Sequence, residues 1–167
     1  TTSGIVWANN LSGGYLENLS NEVDGGVPSS RSFFLHGQAK MRGYGGSNRR
    51  EHIPNIAQFN DLLADKVTGH SEYYMFKSEF RFPIQSMKTL AFAVFYDLGS
   101  LKFSDIDKQC TEYEDNVCKS TNPIRQSFGV GIHLNTPLGP IVFEYARKVD
   151  PRIEERADRV HLSIGSF

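Results

Sequence analysis

The stretch "SEYYMFKSEFRFPI", Ser71 to Ile84, decides the fold. Tyr74, Phe76, Phe80, Phe82 and Ile84 fall on one face, and Met75, Lys77, Glu79 and Arg81 on the other. A period of two marks a β-strand. So large an apolar face set against charges fits a strand with lipid outside and water inside. A soluble β-sandwich binder is the competing reading, in which the apolar stripe is a core.

The same alternation recurs downstream. In "MKTLAFAVFYDLGSLKF", Leu90, Phe92, Val94, Tyr96 and Leu98 form one face, and Ala91, Ala93, Phe95 and Asp97 the other. "IRQSFGVGIHLNTPLGPIVFEYARKVD" reads as a hairpin. Phe128, Val130, Ile132 and Leu134 alternate with Ser127, Gly129, Gly131 and His133, and "TPLGP" supplies turn breakers. Ile141, Phe143 and Tyr145 then alternate with Val142, Glu144 and Ala146. The last strand, "RVHLSIGSF", puts Val160, Leu162 and Ile164 on one face. A first, weaker strand is expected from Gly4 to Gly14. Connections alternate between short turns and long loops, as in a membrane barrel, and the strands are about ten residues long.

Composition agrees by exclusion. The net charge of −1 offers no electrostatic case for nucleic acid or an anionic membrane surface. The sequence holds no run of about 18 apolar residues, which excludes a transmembrane helix but leaves a barrel open. "TTSGIVWANN" has neither a basic region nor an apolar signal core, so the chain reads as a piece of something longer or as a processed product.

Residues 14–71 form a long loop on this reading, and long loops are usually functional or disordered. Within it "NIAQFNDLLADKV" is expected to form a short helix, with Ile56, Phe59, Leu63 and Val67 on one side. Residues 104–122 form a polar, extracellular loop that carries Cys110 and Cys118. Two nearby cysteines in an exposed loop suggest one disulfide and an oxidising compartment. Their spacing is too wide for a zinc knuckle, and Asp105 and Asp107 lack the central glycine and closing glutamate of a calcium loop.

About six strands do not close a roomy barrel, and an unpaired edge in lipid is not viable. The remaining strands are therefore expected from upstream sequence or from another copy of the chain.

Four segments in order give the chain a family likeness: "FFLHGQAKMRGYGG" (33–46), "KSEFRFPI", "FAVFYDLGSL", and "SFGVGIHLNTPLGPIVFEYARKVDP" with "HLSIGSF". Together they resemble the outer-membrane protein assembly factor superfamily, the BamA/TamA-like barrels, in their C-terminal part. The resemblance implies an all-β, transmembrane antiparallel barrel of sixteen strands, of which residues 1–167 are about the last six. It implies the bacterial outer membrane and a loop folded back into the lumen. Carried over, Arg42, Gly43 and Tyr44 are the lumen-loop motif, and Glu79 and Asp97 are the carboxylate partners of Arg42. Both carboxylates lie on the polar faces of their strands, and a planar guanidinium can bridge two.

The implied function is folding and insertion of outer-membrane proteins through a lateral seam, with no covalent chemistry, no cofactor and no metal. Implied partners are unfolded outer-membrane protein substrates, the lipid bilayer and accessory lipoproteins. The seam strand would carry Val160, Leu162, Ile164 and Phe167. Phe167 is out of phase with the other three, so either a bulge shifts the register or the native end lies elsewhere. Two alternatives stand beside this reading: a superfamily transporter passing a partner protein through its lumen, and a homo-oligomeric structural barrel made by strand sharing.

No enzyme signature competes. The five histidines show no metal spacing, no G-x-S-x-G elbow occurs, and Gly129 and Gly131 continue into a strand rather than a helix.

Overall fold

The computed structural model describes residues 4–19, 27–28, 31, 33, 35, 37–44, 66–67, 70–87, 89–103, 124–137, 139–151 and 156–165. Its main element is one antiparallel six-stranded sheet: β1 (Val6–Glu17), β4 (His70–Pro83), β5 (Leu90–Phe103), β6 (Ile124–Thr136), β7 (Gly139–Lys148) and β8 (Asp158–Ile164), hydrogen-bonded in that order. A separate two-stranded ribbon pairs β2 (Val27–Pro28) with β3 (Lys66–Val67). Among the described residues no α-helix occurs. The sheet is open, with β1 at one edge and β8 at the other.

The two faces of the sheet differ as the alternation requires. Ala93, Phe95, Asp97 and Leu101 of β5 are buried, as are Glu79 of β4, Ser127 of β6 and Val142, Glu144 and Ala146 of β7. Phe80, Phe92, Phe128, Ile132, Phe143 and Leu162 point the other way and are exposed. Such an apolar exposed face suits lipid, whereas a water-facing surface of this extent would be an aggregation hazard. The buried face is covered by the chain itself. Leu35, Met41, Arg42 and Tyr44 pack onto it and are as buried as the wall beneath them.

β1 is shifted along the chain from the expected Gly4–Gly14, beginning at Val6. It reaches Glu17 and pairs with β4 along its whole length, from Val6↔Arg81 to Glu17↔His70. Its glycines and asparagines are poor strand formers, but a strong neighbour supplies the ladder and side-chain contacts that set strand stability. Trp7 stacks on Phe80 at 5.6 Å and donates Nε1–H to Ser78 Oγ at 2.9 Å. The segment expected as a loop at 14–71 is therefore bounded by Glu17 and His70, and β2 and β3 lie within it. Of the helix expected there, Lys66 and Val67 lie instead in β3, and the rest is outside the described residues. Cys110, Cys118 and the whole 104–122 loop are also outside the described residues, as is Phe167.

Candidate functional site

The segment 37–44 closes on itself before it meets the wall. Gly37 N–H donates to Tyr44 O at 3.0 Å, and Lys40 N–H donates to Gly37 O at 3.2 Å. This compact turn carries Arg42 two residues before its closing end at Tyr44. Gly43 follows with φ +91°, a left-handed conformation, and a Cβ there would lie 3.2 Å from Ser127 Cβ and 3.4 Å from Ala146 Cβ. Both facts call for glycine, which lets the loop backbone sit directly on β6 and β7.

The guanidinium of Arg42 reaches three strands. On β5, Asp97 accepts from the Arg42 backbone N–H and from Nε at 2.9 Å each, both through Oδ2, and from Nη2 through Oδ1 at 2.6 Å. On β4, Glu79 Oε2 accepts from Nη1. On β7, Glu144 Oε1 accepts from the same Nη1 at 2.9 Å. Below the guanidinium lies the Phe95 ring, its centre 3.5 Å from Cζ. Ser127 Oγ–H donates to Arg42 O. Burial alone works against the charged form. The hydrogen bond and charge of Asp97, with those of Glu144, outweigh it and raise the Arg42 pKa above its ordinary value. The side chain is thus a fixed cation that pins the loop to β4, β5 and β7.

A second set of contacts surrounds the first. Arg81 Nε donates to Glu79 Oε1 at 2.5 Å. Gln38 Nε2 donates to Glu144 Oε2 at 2.8 Å, and Lys77 Nζ donates to Gln38 O at 2.8 Å. Tyr44 OH donates to Gln126 O at 2.9 Å, with Arg125 and Lys148 over its ring. Gly43 N–H donates to His161 Nε2 on β8 at 3.1 Å. The three buried carboxylates are thereby held in ion pairs by Arg42 and Arg81, which offsets part of the cost of burying their charge.

A cavity of about 870 Å³ opens beside the loop, lined in part by Asn10, Gln38, Lys77, His133 and Glu144. Glu79, His133 and Glu144 each bring a ligand atom within 4.8 Å of the others. Arg42 already holds both carboxylates, so a cation there would meet a guanidinium at hydrogen-bond range of the same oxygens. The set is unsuited to a metal while the loop is seated.

The Omp85 superfamily domain model matches residues 1–167. The chain belongs to the Omp85 superfamily. This is a superfamily of outer-membrane insertion and transport barrels. The fold of this Omp85 chain is also similar to the crystal structure of BamA from Haemophilus ducreyi lacking POTRA domains 1–3, with a TM-score of 0.62 at 16% identity. The match covers 98% of this chain and 35% of that one, so the chain spans about a third of that structure's length. The likeness extends to the wall as an open arc of barrel.

The structure brings Arg42, Glu79 and Asp97 together in this Omp85 wall, with Gly43 and Tyr44 seated beside them. Val160, Leu162 and Ile164 stand apart on the outer face of β8. Sequence reasoning missed Glu144 as a partner of Arg42. Its inward parity was visible and it is the one carboxylate in "GPIVFEYARK". Its reach to Arg42 depends on register and on Gly129 and Gly131, which leave the inner surface bare between β5 and β7.

Proposed function

We propose that this chain is the seam-bearing arc of an outer-membrane barrel that folds and inserts outer-membrane proteins at its β8 edge. The observation that carries the reading is a taper in the apolar belt. From a common inner row, Leu90–Leu134–Ile141–Ile164, the uninterrupted outward apolar run extends to Leu98 on β5 and to Phe128 on β6. On β7 it stops at Tyr145, and on β8 at Val160, because Arg147 and Asp158 follow. At about 3.3 Å per residue, the belt falls from roughly 26 Å of strand on β5 to roughly 13 Å on β8. A short belt draws the bilayer thin beside it, and a thinned bilayer lowers the barrier to a substrate strand.

β8 is also the shortest strand of the sheet, so a partner on its far side would be held by few ladder hydrogen bonds. An exposed edge can template an incoming strand by β-augmentation. In the closed barrel the lumen loop braces β4, β5 and β7 through Arg42, so that the edge can open without collapse of the wall.

The test is reconstitution of the complete barrel into lipid vesicles, followed by addition of a urea-unfolded outer-membrane barrel protein. Faster folding than in empty vesicles, with photocrosslinks from positions 160 and 162 to the substrate, is the expected result. Crosslinks from Gln38 and Ala39 with none from β8 would replace this reading by passage of a protein through the lumen.

A further inference from the structure

The lumen loop and the edge strand meet in a polar contact that the Arg42 network does not require: the 3.1 Å hydrogen bond from Gly43 N–H to His161 Nε2. A ring nitrogen that accepts is unprotonated, so His161 is a neutral imidazole with its proton on Nδ1. We propose that His161 is a positioning residue that latches the lumen loop to β8 while it is neutral, and that its protonation releases the loop and the edge together.

The contact is built for this. Gly43 is wedged against Ser127 and Ala146 of the wall, so its N–H cannot turn freely to another acceptor. Movement of β8 removes the acceptor from a part-buried donor, which ties the position of the loop to that of the edge. Protonation sets one donor against another. The charged groups facing His161 are Glu144, its direct cross-strand partner on β7, Arg159 on β8 itself, Arg42 of the loop and Asp97 of β5. Glu144 is held by Arg42 and Gln38. An imidazolium opposite it becomes a rival donor for those oxygens, so one protonation both loses the Gly43 contact and weakens the grip of Arg42 on β7. The latch rests on the seam reading only for its consequence, since the tie between loop and strand stands on geometry alone.

The experiment is maleimide labelling of Met41→Cys, a position fully buried while the loop is seated, in the complete barrel in lipid vesicles, in a Cys110→Ser, Cys118→Ser background. Each rate is divided by that of the same cysteine in the urea-unfolded protein at the same pH. His161→Phe removes the acceptor and is expected to raise labelling about fivefold, the effect of one ordinary hydrogen bond. His161→Gln places Oε1 where Nε2 stands and is expected to label as the parent does at pH 8. Between pH 8 and about pH 5 the parent rises toward the His161→Phe rate, while His161→Gln stays flat. The latch is overturned if His161→Gln keeps the pH response of the parent, or if His161→Phe labels no faster than the parent. Should His161→Phe not fold, the His161→Gln profile decides alone. Labelling reads the loop and not assembly, so a barrel without insertion activity leaves this result intact.

Discussion

Arg42 lies on Phe95, its Cζ 3.5 Å from the ring centre, and the ring in turn occupies the space over Gly129 on the next strand. A Cβ at Gly129 would fall 2.5 Å from Phe95 Cζ and 2.1 Å from Tyr145 O. The bare glycine lets the ring lie flat on the sheet, and the flat ring gives the guanidinium its floor. Phe95→Leu keeps an apolar floor but loses the π face, and should weaken the seat by about 0.5–2 kcal/mol. Gly129→Ala should cost more, because both ring and ladder must shift. Urea unfolding in detergent micelles would rank them, and the reverse order would separate the ring from the seat.

Asp97 and Glu144 should differ in worth. Asp97 accepts three hydrogen bonds from Arg42, Glu144 one. Asp97→Asn is expected to cost about 3–5 kcal/mol, the scale for breaking a buried pair on one side. Glu144→Gln should cost about 1–3 kcal/mol, since an amide oxygen still accepts from Arg42. Equal losses in the same unfolding assay would show that the grip on β7 matters as much as that on β5.

Gly43 carries two constraints that a paired substitution can separate. Gly43→Ala meets both the left-handed φ of +91° and the Ser127 and Ala146 side chains. A loss of roughly 1–3 kcal/mol is expected, and Ser127→Gly, judged against its own single variant because it also loses the hydrogen bond to Arg42 O, should recover only the Ser127 part of the steric share. Full recovery in the double variant would mean that the backbone conformation adds nothing.

The taper of the apolar belt makes a prediction about rate. Arg147 and Asp158 face each other across β7 and β8 and cap the belt there. Replacing both with leucine adds one outward pair, about 6.6 Å of strand, and brings the belt at the edge closer to that of β6. Folding of an added outer-membrane protein in vesicles should slow several-fold while the barrel itself grows more stable. Unchanged folding rates would remove bilayer thinning from the mechanism.

Much of this was legible in the residues. Phe80 and Phe82 against Glu79 and Arg81, and Phe92 to Leu98 against Ala93 to Asp97, define faces by parity alone, because successive strand residues must point to opposite sides. The turn between β6 and β7 followed from Pro137, with Gly139 and Pro140 opening β7. Other parts were not legible. β1 owes its run out to Glu17 to pairing with β4, so its own composition misplaced its end. Glu144 offered the right parity but no sign of which partner lay across two strands.

Local periodicity was enough for the strands, their faces and the inward placement of Glu79, Asp97 and Glu144, whereas the lumen-loop motif was readable only through the family resemblance. The packed sheet alone gathers all three carboxylates around one guanidinium over Phe95. It alone decided that His161 meets Gly43 and that the apolar belt tapers toward β8. Each of these depends on register between strands, and register is set by pairing energies summed across the whole sheet rather than by any one segment.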